Sequence, residues 1–190
     1  MKLKKILLII GVVIIFVVLA MAAVMGFFVF DLWSLTAGGS ETLSPAGDVT
    51  GHALVVYNPG VSGGAKGVAV AIADDLKAKG YSVVLAGVKS SAATSTAGYD
   101  VIVVGGPIYA GNQSSSIQSY MKSLTVPGNA KLGMFAAGQD KDILSDPVAL
   151  REQVTSLPDG STLQVKAVVK VVSSDDKDAQ CLAFVNELLN

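Results

Sequence analysis

The chain is 190 residues long, enough for one ordinary domain with an appendage and too short for two full cores. It is 51% hydrophobic, with a mean hydropathy of +0.56 and a formal net charge of −1. With Lys2, Lys4 and Lys5 set apart, eleven basic residues stand against fifteen acidic ones, a net −4 with no basic stripe, so nucleic acid is not an expected partner. A single cysteine, Cys181, rules out a disulfide within the chain. With one histidine, His52, beside it, neither a zinc site nor an iron–sulfur centre is expected, and no metal partner is predicted. Hydrolysis by a Ser-His-Asp set would have to use His52, which sits at the start of a predicted buried strand; a strand-end histidine with no role is the simpler reading.

The first element is the apolar run from Ile6 to Phe30, 25 residues without a charged group. At about 1.5 Å per residue, a helix of this length covers the roughly 30 Å hydrocarbon core of a bilayer. Residues 1–34 are therefore expected to form a basic flank and an uncleaved transmembrane helix that meets lipid through residues 6–30. A cleaved signal peptide is the competing reading, since Ala20-Met21-Ala22 offers a small-x-small pattern. The run, however, far exceeds the roughly 7–15 residues of a signal core. Lysines before the span and Asp31 after it place the N-terminus in the cytoplasm and the main domain on the outer face, by the positive-inside rule. Residues 35–51, rich in Thr, Ala, Gly, Ser and Pro, read as a linker.

From residue 52 to 190, short β-branched runs alternate with helical patterns. Ala53–Tyr57 is a strand whose unbroken apolar character implies burial on both faces. Gly64–Lys79 is a helix, apolar at Val68, Ile72 and Leu76, closed by Gly80. Strands follow at Tyr81–Leu85, Val101–Gly105, Lys131–Ala136 and Leu163–Val172. Between them lie an irregular Lys89–Gly98 segment and helices at Ser114–Ser123 and Pro147–Leu157, with a last helix at Asp176–Leu189. Strict β-α alternation argues for a parallel sheet covered on both faces. Its ligand site belongs at the carboxyl ends of the strands, beside the switch in strand order.

Three loops fall there. Asn58-Pro59-Gly60-Val61-Ser62-Gly63-Gly64-Ala65-Lys66 leads into the first helix of the domain, where glycines and unpaired N–H groups suit a phosphate; a plain tight turn explains the same residues. The Gly-Lys-Ser/Thr ending of a nucleotide triphosphatase loop is absent. Gly105-Gly106-Pro107-Ile108-Tyr109-Ala110-Gly111-Asn112 follows the third strand, and Ala137-Gly138-Gln139-Asp140 the fourth.

The second of these resembles the flavin loop of the flavodoxin-like family, FMN-binding domains that here would stand behind a membrane anchor. The resemblance extends over residues 52–190. It implies an α/β three-layer sandwich with a five-stranded parallel sheet in the order 2-1-3-4-5, plus the N-terminal transmembrane helix, and FMN as cofactor. Asn58, Ser62, Gly63, Gly64, Ala65 and Lys66 would then hold the phosphate. Gly106, Pro107, Ile108, Tyr109, Ala110, Gly111 and Asn112 would frame the ring, with Tyr109 against it. Gly138 and Gln139, with Asp140 beyond, would reach its polar edge. One departure stands out: where the family carries Ser/Thr-x-Thr-Gly-x-Thr, this chain has Ser62-Gly63-Gly64-Ala65, keeping the first hydroxyl and losing the last. Each lost hydroxyl removes on the order of 1 kcal/mol of phosphate binding.

The resemblance implies electron transfer by a membrane-anchored flavoprotein, with a redox partner protein or a quinone at the ring. Two other functions share the fold: an FMN-dependent quinone or NAD(P)H oxidoreductase, and a domain that has lost its flavin and acts as a binding module. Composition and spacing alone do not decide whether the chain is an enzyme.

Overall fold

The computed structural model describes residues 3–33, 37–139, 146–157, 160–173 and 176–190. The chain forms two compact units, residues 1–34 and 35–190. The first is a single helix, α1 (Leu3–Trp33), whose Ile9–Gly26 stretch has a mean hydropathy of 3.0 and no buried residue. By length and composition it can cross a membrane, and an N-terminal signal sequence meets the same test.

The second unit is built on one sheet. Its strands are β1 (Ser40–Leu43), β2 (Gly51–Tyr57), β3 (Tyr81–Gly87), β4 (Val101–Tyr109), β5 (Asn112–Gln113), β6 (Lys131–Gly138) and β7 (Val165–Val172). They lie in the order β1-β3-β2-β4-β6-β7, with β5 folded back on the end of β4. Five of them, β3-β2-β4-β6-β7, are mutually parallel. Numbered among themselves these five run 2-1-3-4-5, as expected.

Burial alternates along the strands, as a sheet covered on both sides requires. Ala53, Val55, Val83, Leu85, Val101 and Val103 face α2 (Gly64–Ala78) and α5 (Lys177–Leu189). Leu54, Val56, Ile102, Val104, Leu132 and Met134 face α3 (Ser115–Ser123) and α4 (Pro147–Thr155). The third layer is thin under β3, because residues 89–98 form only a turn of 3-10 helix at Ser91–Ala93. Tyr120 spans that gap, its phenol donating to the Ala93 carbonyl at 2.8 Å. Burial first, and then Tyr99, push the Tyr120 phenol up to about 12.

The boundary of the linker moves. Within residues 35–51, Ser40–Leu43 joins the sheet as an antiparallel edge beside β3, with Ser40 opposite Ala86 and Leu43 opposite Val83. Gly87 N–H donates to the Gly39 carbonyl and Lys89 N–H to that of Ala37. The polar pattern of Ser-Glu-Thr-Leu concealed a strand because an edge strand needs backbone partners more than apolar side chains. Running antiparallel, β1 enters the domain at the carboxyl-end rim of the parallel strands.

Candidate functional site

The carboxyl ends of β2, β4 and β6 carry the three loops singled out in the sequence. β2 stops opposite Gly105 of β4. Beyond that point β4 keeps β6 on one side, through the pairs Gly106 with Ala136 and Pro107 with Ala137, and gains its own hairpin on the other. This staggered ending opens a step in the rim beside the first loop.

Asn58 is the keystone of that step. It is wholly buried, and its backbone N–H donates to the Gly105 carbonyl at 3.1 Å. Its amide donates to Ser116 Oγ at 2.6 Å and Ser114 Oγ at 3.2 Å, while Oδ1 accepts from the Gly60 N–H at 2.9 Å. The amide of Asn58 is thus turned inward, binding the first loop to the start of α3. Ser114 precedes α3 but does not cap it with its side chain; its hydroxyl serves this network instead. Gly106 lies against the same group, where a Cβ would stand 2.9 Å from Ile117 Cγ1 and 3.2 Å from Asn58 Cβ.

The rest of the first loop is open. Val61, Ser62, Gly63 and Gly64 are all exposed. Gly63, at φ 72°, is the cap of α2 and adopts a left-handed conformation that suits glycine. No side chain caps this helix and its first turn carries no acidic residue. Ser62 Oγ accepts from the Gly64 N–H at 3.3 Å, which leaves its own O–H to donate outward. The N–H groups of Ala65 and Lys66 lie in the first turn, where an α-helix supplies no internal acceptor. A Cβ built at Gly63 or at Gly67 would meet nothing within 4 Å, and Lys66 is exposed beside them. This is a cradle with room and positive dipole for a phosphate, so the residues present fit the phosphate end of FMN.

The second loop is a rigid hairpin rather than a loose connection. β4 continues through Tyr109, turns on Ala110 (φ 48°) and Gly111 (φ 83°), and returns as Asn112 and Gln113. Two successive positive φ values fit the twist of a tight hairpin, but Ala110 holds its value at a steric cost. Asn112 Nδ2 donates to the Ala110 carbonyl, and the buried Gln113 amide donates to the carbonyls of Phe135 and Val154 at 2.8 and 2.9 Å. Tyr109 is half-buried, and its hydroxyl accepts from the Val61 N–H at 3.2 Å. Gly60 approaches the Pro107 ring closely enough that a Cβ there would stand 3.0 Å from it. The first two loops therefore touch, latched by the tyrosine.

Of the third loop, Gly138 closes β6 and the exposed Gln139 follows it; Asp140 lies outside the described residues. A Cβ at Gly138 would stand 3.6 Å from Ile108 Cβ and 3.2 Å from Lys170 Cε. The structure thus adds Lys170 and Gln113 to the residues expected from sequence. Lys170 had a visible signal, a lysine inside the apolar run Ala167–Val172. Gln113 had none. His52, exposed near the start of β2, is at the opposite end of the strands. Tyr57, the last residue of β2, has its phenol raised above the ordinary value by burial and then by the Glu41 carboxylate.

Comparison of the fold places it among solved structures. Flavodoxin 2 from Bacillus cereus superposes with a TM-score of 0.50 at 18% identity, covering 73% of this chain and 97% of that one. The domain has a flavodoxin-like fold. An NADH:FMN oxidoreductase is similar at a TM-score of 0.51 and 14% identity, covering 73% of this chain and 88% of the other. NAD(P)H:quinone oxidoreductase from Methanothermobacter marburgensis matches at 0.51 and 11%, with coverage of 73% and 94%. No family model and no curated protein matches the sequence. At these identities the likeness extends to the flavodoxin-like fold.

Proposed function

We propose that this protein is a membrane-anchored flavoprotein that holds FMN at the carboxyl-end rim of its sheet and passes electrons there. The observation that carries this reading is the uncapped, glycine-lined start of α2 beside a rigid hairpin that presents Tyr109. When bound, FMN supplies the redox chemistry, and the protein contributes binding, orientation and local electrostatics. The N–H groups of Ala65 and Lys66 and the Ser62 hydroxyl hold the phosphate, with the Lys66 charge nearby. Asn58 acts as a positioning residue, keeping the first loop in register with α3. The hairpin gives the ring a shelf, and Gly138 with Gln139 closes the other side. α1 serves as the anchor, with the domain on the outer face. The NADH:FMN and NAD(P)H:quinone oxidoreductases among its structural neighbours support a quinone or nicotinamide as the exchanging partner.

One observation favours a second reading. The Tyr109 hydroxyl already occupies the Val61 N–H, and a flavin-free binding module would keep that contact permanently. Titrating the detergent-solubilised full chain with FMN separates the two. A saturable heat of binding, with flavin absorption bands retained after gel filtration, supports the flavoprotein. A chain that stays colourless supports the module. Turnover of quinones with NAD(P)H would then mark an enzyme, and its absence a carrier. Sidedness calls for an introduced thiol such as Lys122→Cys, since Cys181 is buried and burial pushes its thiol up to about 11. Labelling of intact cells by an impermeant maleimide is expected for the outer-face orientation and its failure for the reverse.

A further inference from the structure

Where β3 lacks a full covering helix, the third layer has a furrow. Residues 89–98 make only a single 3-10 turn, and a cavity of about 280 Å³ lies between that segment and the last turn of α3. Val88, Ala93 and Leu124 give it an apolar lining. Its polar lining is made of hydroxyls, on Thr94, Thr96, Tyr120, Ser123 and Thr125, and among the described residues no charged side chain lines it. The hydroxyls share a polarity. Each carries one hydrogen to donate and two lone pairs. Thr94 donates to the Ser91 carbonyl at 2.7 Å and Thr96 to that of Thr125 at 2.6 Å. Tyr120 donates to the Ala93 carbonyl at 2.8 Å and Ser123 to that of Tyr120 at 3.1 Å. Four hydrogens are thus spent on the backbone, and burial, which pushes the Tyr120 phenol up to about 12, keeps that hydrogen in place. What these four groups offer a ligand is lone pairs.

That polarity selects among ligands. Carboxylates and phosphates are acceptors themselves and find no hydrogen on these four groups, while a cation finds no carboxylate in the lining to balance its charge. A purely apolar molecule strips water from the hydroxyl oxygens and returns no hydrogen bond. A small ring that carries its own O–H groups meets both demands, covering the apolar lining and donating to the oxygens. Sites for drug-sized ligands begin at roughly 300 Å³, so a single ring is the size this furrow admits. We propose that the furrow is a binding site for small uncharged phenols, the ring lying against Val88, Ala93 and Leu124 and its O–H groups donating to Tyr120 Oη and Thr96 Oγ1. Neither its volume nor its hydrogen bonds involve the three rim loops, so the site stands or falls apart from the flavin reading.

The test uses the full chain in lipid nanodiscs, with carbon-13 in the methyl groups of valine, leucine and threonine, titrated with three single-ring probes. Free probe is measured by equilibrium dialysis, so that uptake into lipid is set aside. Resorcinol, which carries two O–H donors, is expected to move the methyl signals of Val88, Thr94, Thr96 and Leu124 and to saturate at roughly 1 mM, as suits a ligand of so few atoms. 1,3-Difluorobenzene, of similar shape and without a donor, is expected to bind about tenfold more weakly or worse, and benzoate to give no saturable shift. Tyr120→Phe and Thr96→Val, which keep the furrow's shape and each remove one acceptor, are expected to weaken resorcinol about fivefold apiece. Should either variant fail to fold by circular dichroism, the ranking of the three probes on the wild-type chain decides. Equal affinity for resorcinol and difluorobenzene, saturable binding of benzoate, shifts centred on other residues, or no saturation by about 20 mM resorcinol each overturns the site. None of these results touches FMN binding, which is read separately.

Discussion

The first and second loops answer opposite demands on the same rim. The first is exposed, rich in glycine and built to offer backbone N–H groups, with Val61 47% exposed on its crest. The second is an extension of β4 closed into a hairpin, backed by the buried Gln113 and Ser114. Because backbone donors do not depend on side-chain identity, the first loop can lose a hydroxyl at Ala65 and still present a cradle. The second depends on shape: Gly106, Tyr109 and Gln113 are each held by a neighbour, and only its tip at 110–112 is exposed. Departures from a family's pattern are therefore better tolerated in the first loop than in the second.

Gly106→Val attacks the rigid side of this contrast, driving a branched side chain into Ile117, Asn58 and Ser114. A loss of about 3 kcal/mol in a urea melt is expected, with FMN binding abolished; a stable, FMN-binding variant would show that the hairpin is more plastic than its packing implies. Asn58→Ala strikes the joint between the loops. It leaves the Gly60 N–H without its acceptor and the buried Ser114 and Ser116 hydroxyls with only each other, for a loss of about 2 kcal/mol by the same measurement. Gly63→Asp probes the open loop without disturbing the hairpin. A carboxylate at the start of α2 should weaken FMN binding at least tenfold by calorimetry, whereas Gly63→Asn, which tolerates the left-handed backbone, should bind within about threefold of wild type. Equal affinities for the two would exclude a phosphate there.

Ala110→Gly relieves the strained turn and should raise stability by about 1 kcal/mol, seen as a higher melting temperature. The smallest effect is expected from Tyr109→Phe, which removes the hydroxyl that accepts from the Val61 N–H. At this partly exposed site water replaces it, so about 0.5 kcal/mol is lost and FMN affinity is kept. Tyr109→Ala, by contrast, should lower FMN affinity about tenfold if the ring itself is what the flavin meets.

The parallel core was legible in the sequence because each of its strands is a largely apolar run, β-branched in all but β6, separated from the next by helical periodicity or turn residues. Val101–Val104 and Ala53–Tyr57 read as buried strands and the alternation implies a parallel sheet, while the order 2-1-3-4-5 follows from the family resemblance. The loops were legible as loops because glycines cluster after these strands. What escaped was whatever depends on pairing across the chain. The extension of β4 beyond Gly105, through Gly106 and Pro107 to Tyr109, is invisible to propensity, since neither glycine nor proline favours a strand. The inward turn of Asn58 depends on Ser114 and Ser116, more than fifty residues away. From the sequence alone Asn58 is expected at the phosphate with the rest of its loop.

β1 has a practical consequence for anyone cutting the protein into pieces. A soluble fragment begun near residue 45 would carry every helix and parallel strand of the domain, yet it would strip the cover from β3 and leave a row of unpaired amides along Val83–Gly87. Bare strand margins recruit other chains, so such a fragment is expected to precipitate or pair with itself. A cut placed ahead of Ala37 keeps that margin sealed, and light scattering of the two fragments side by side would show the difference within an afternoon.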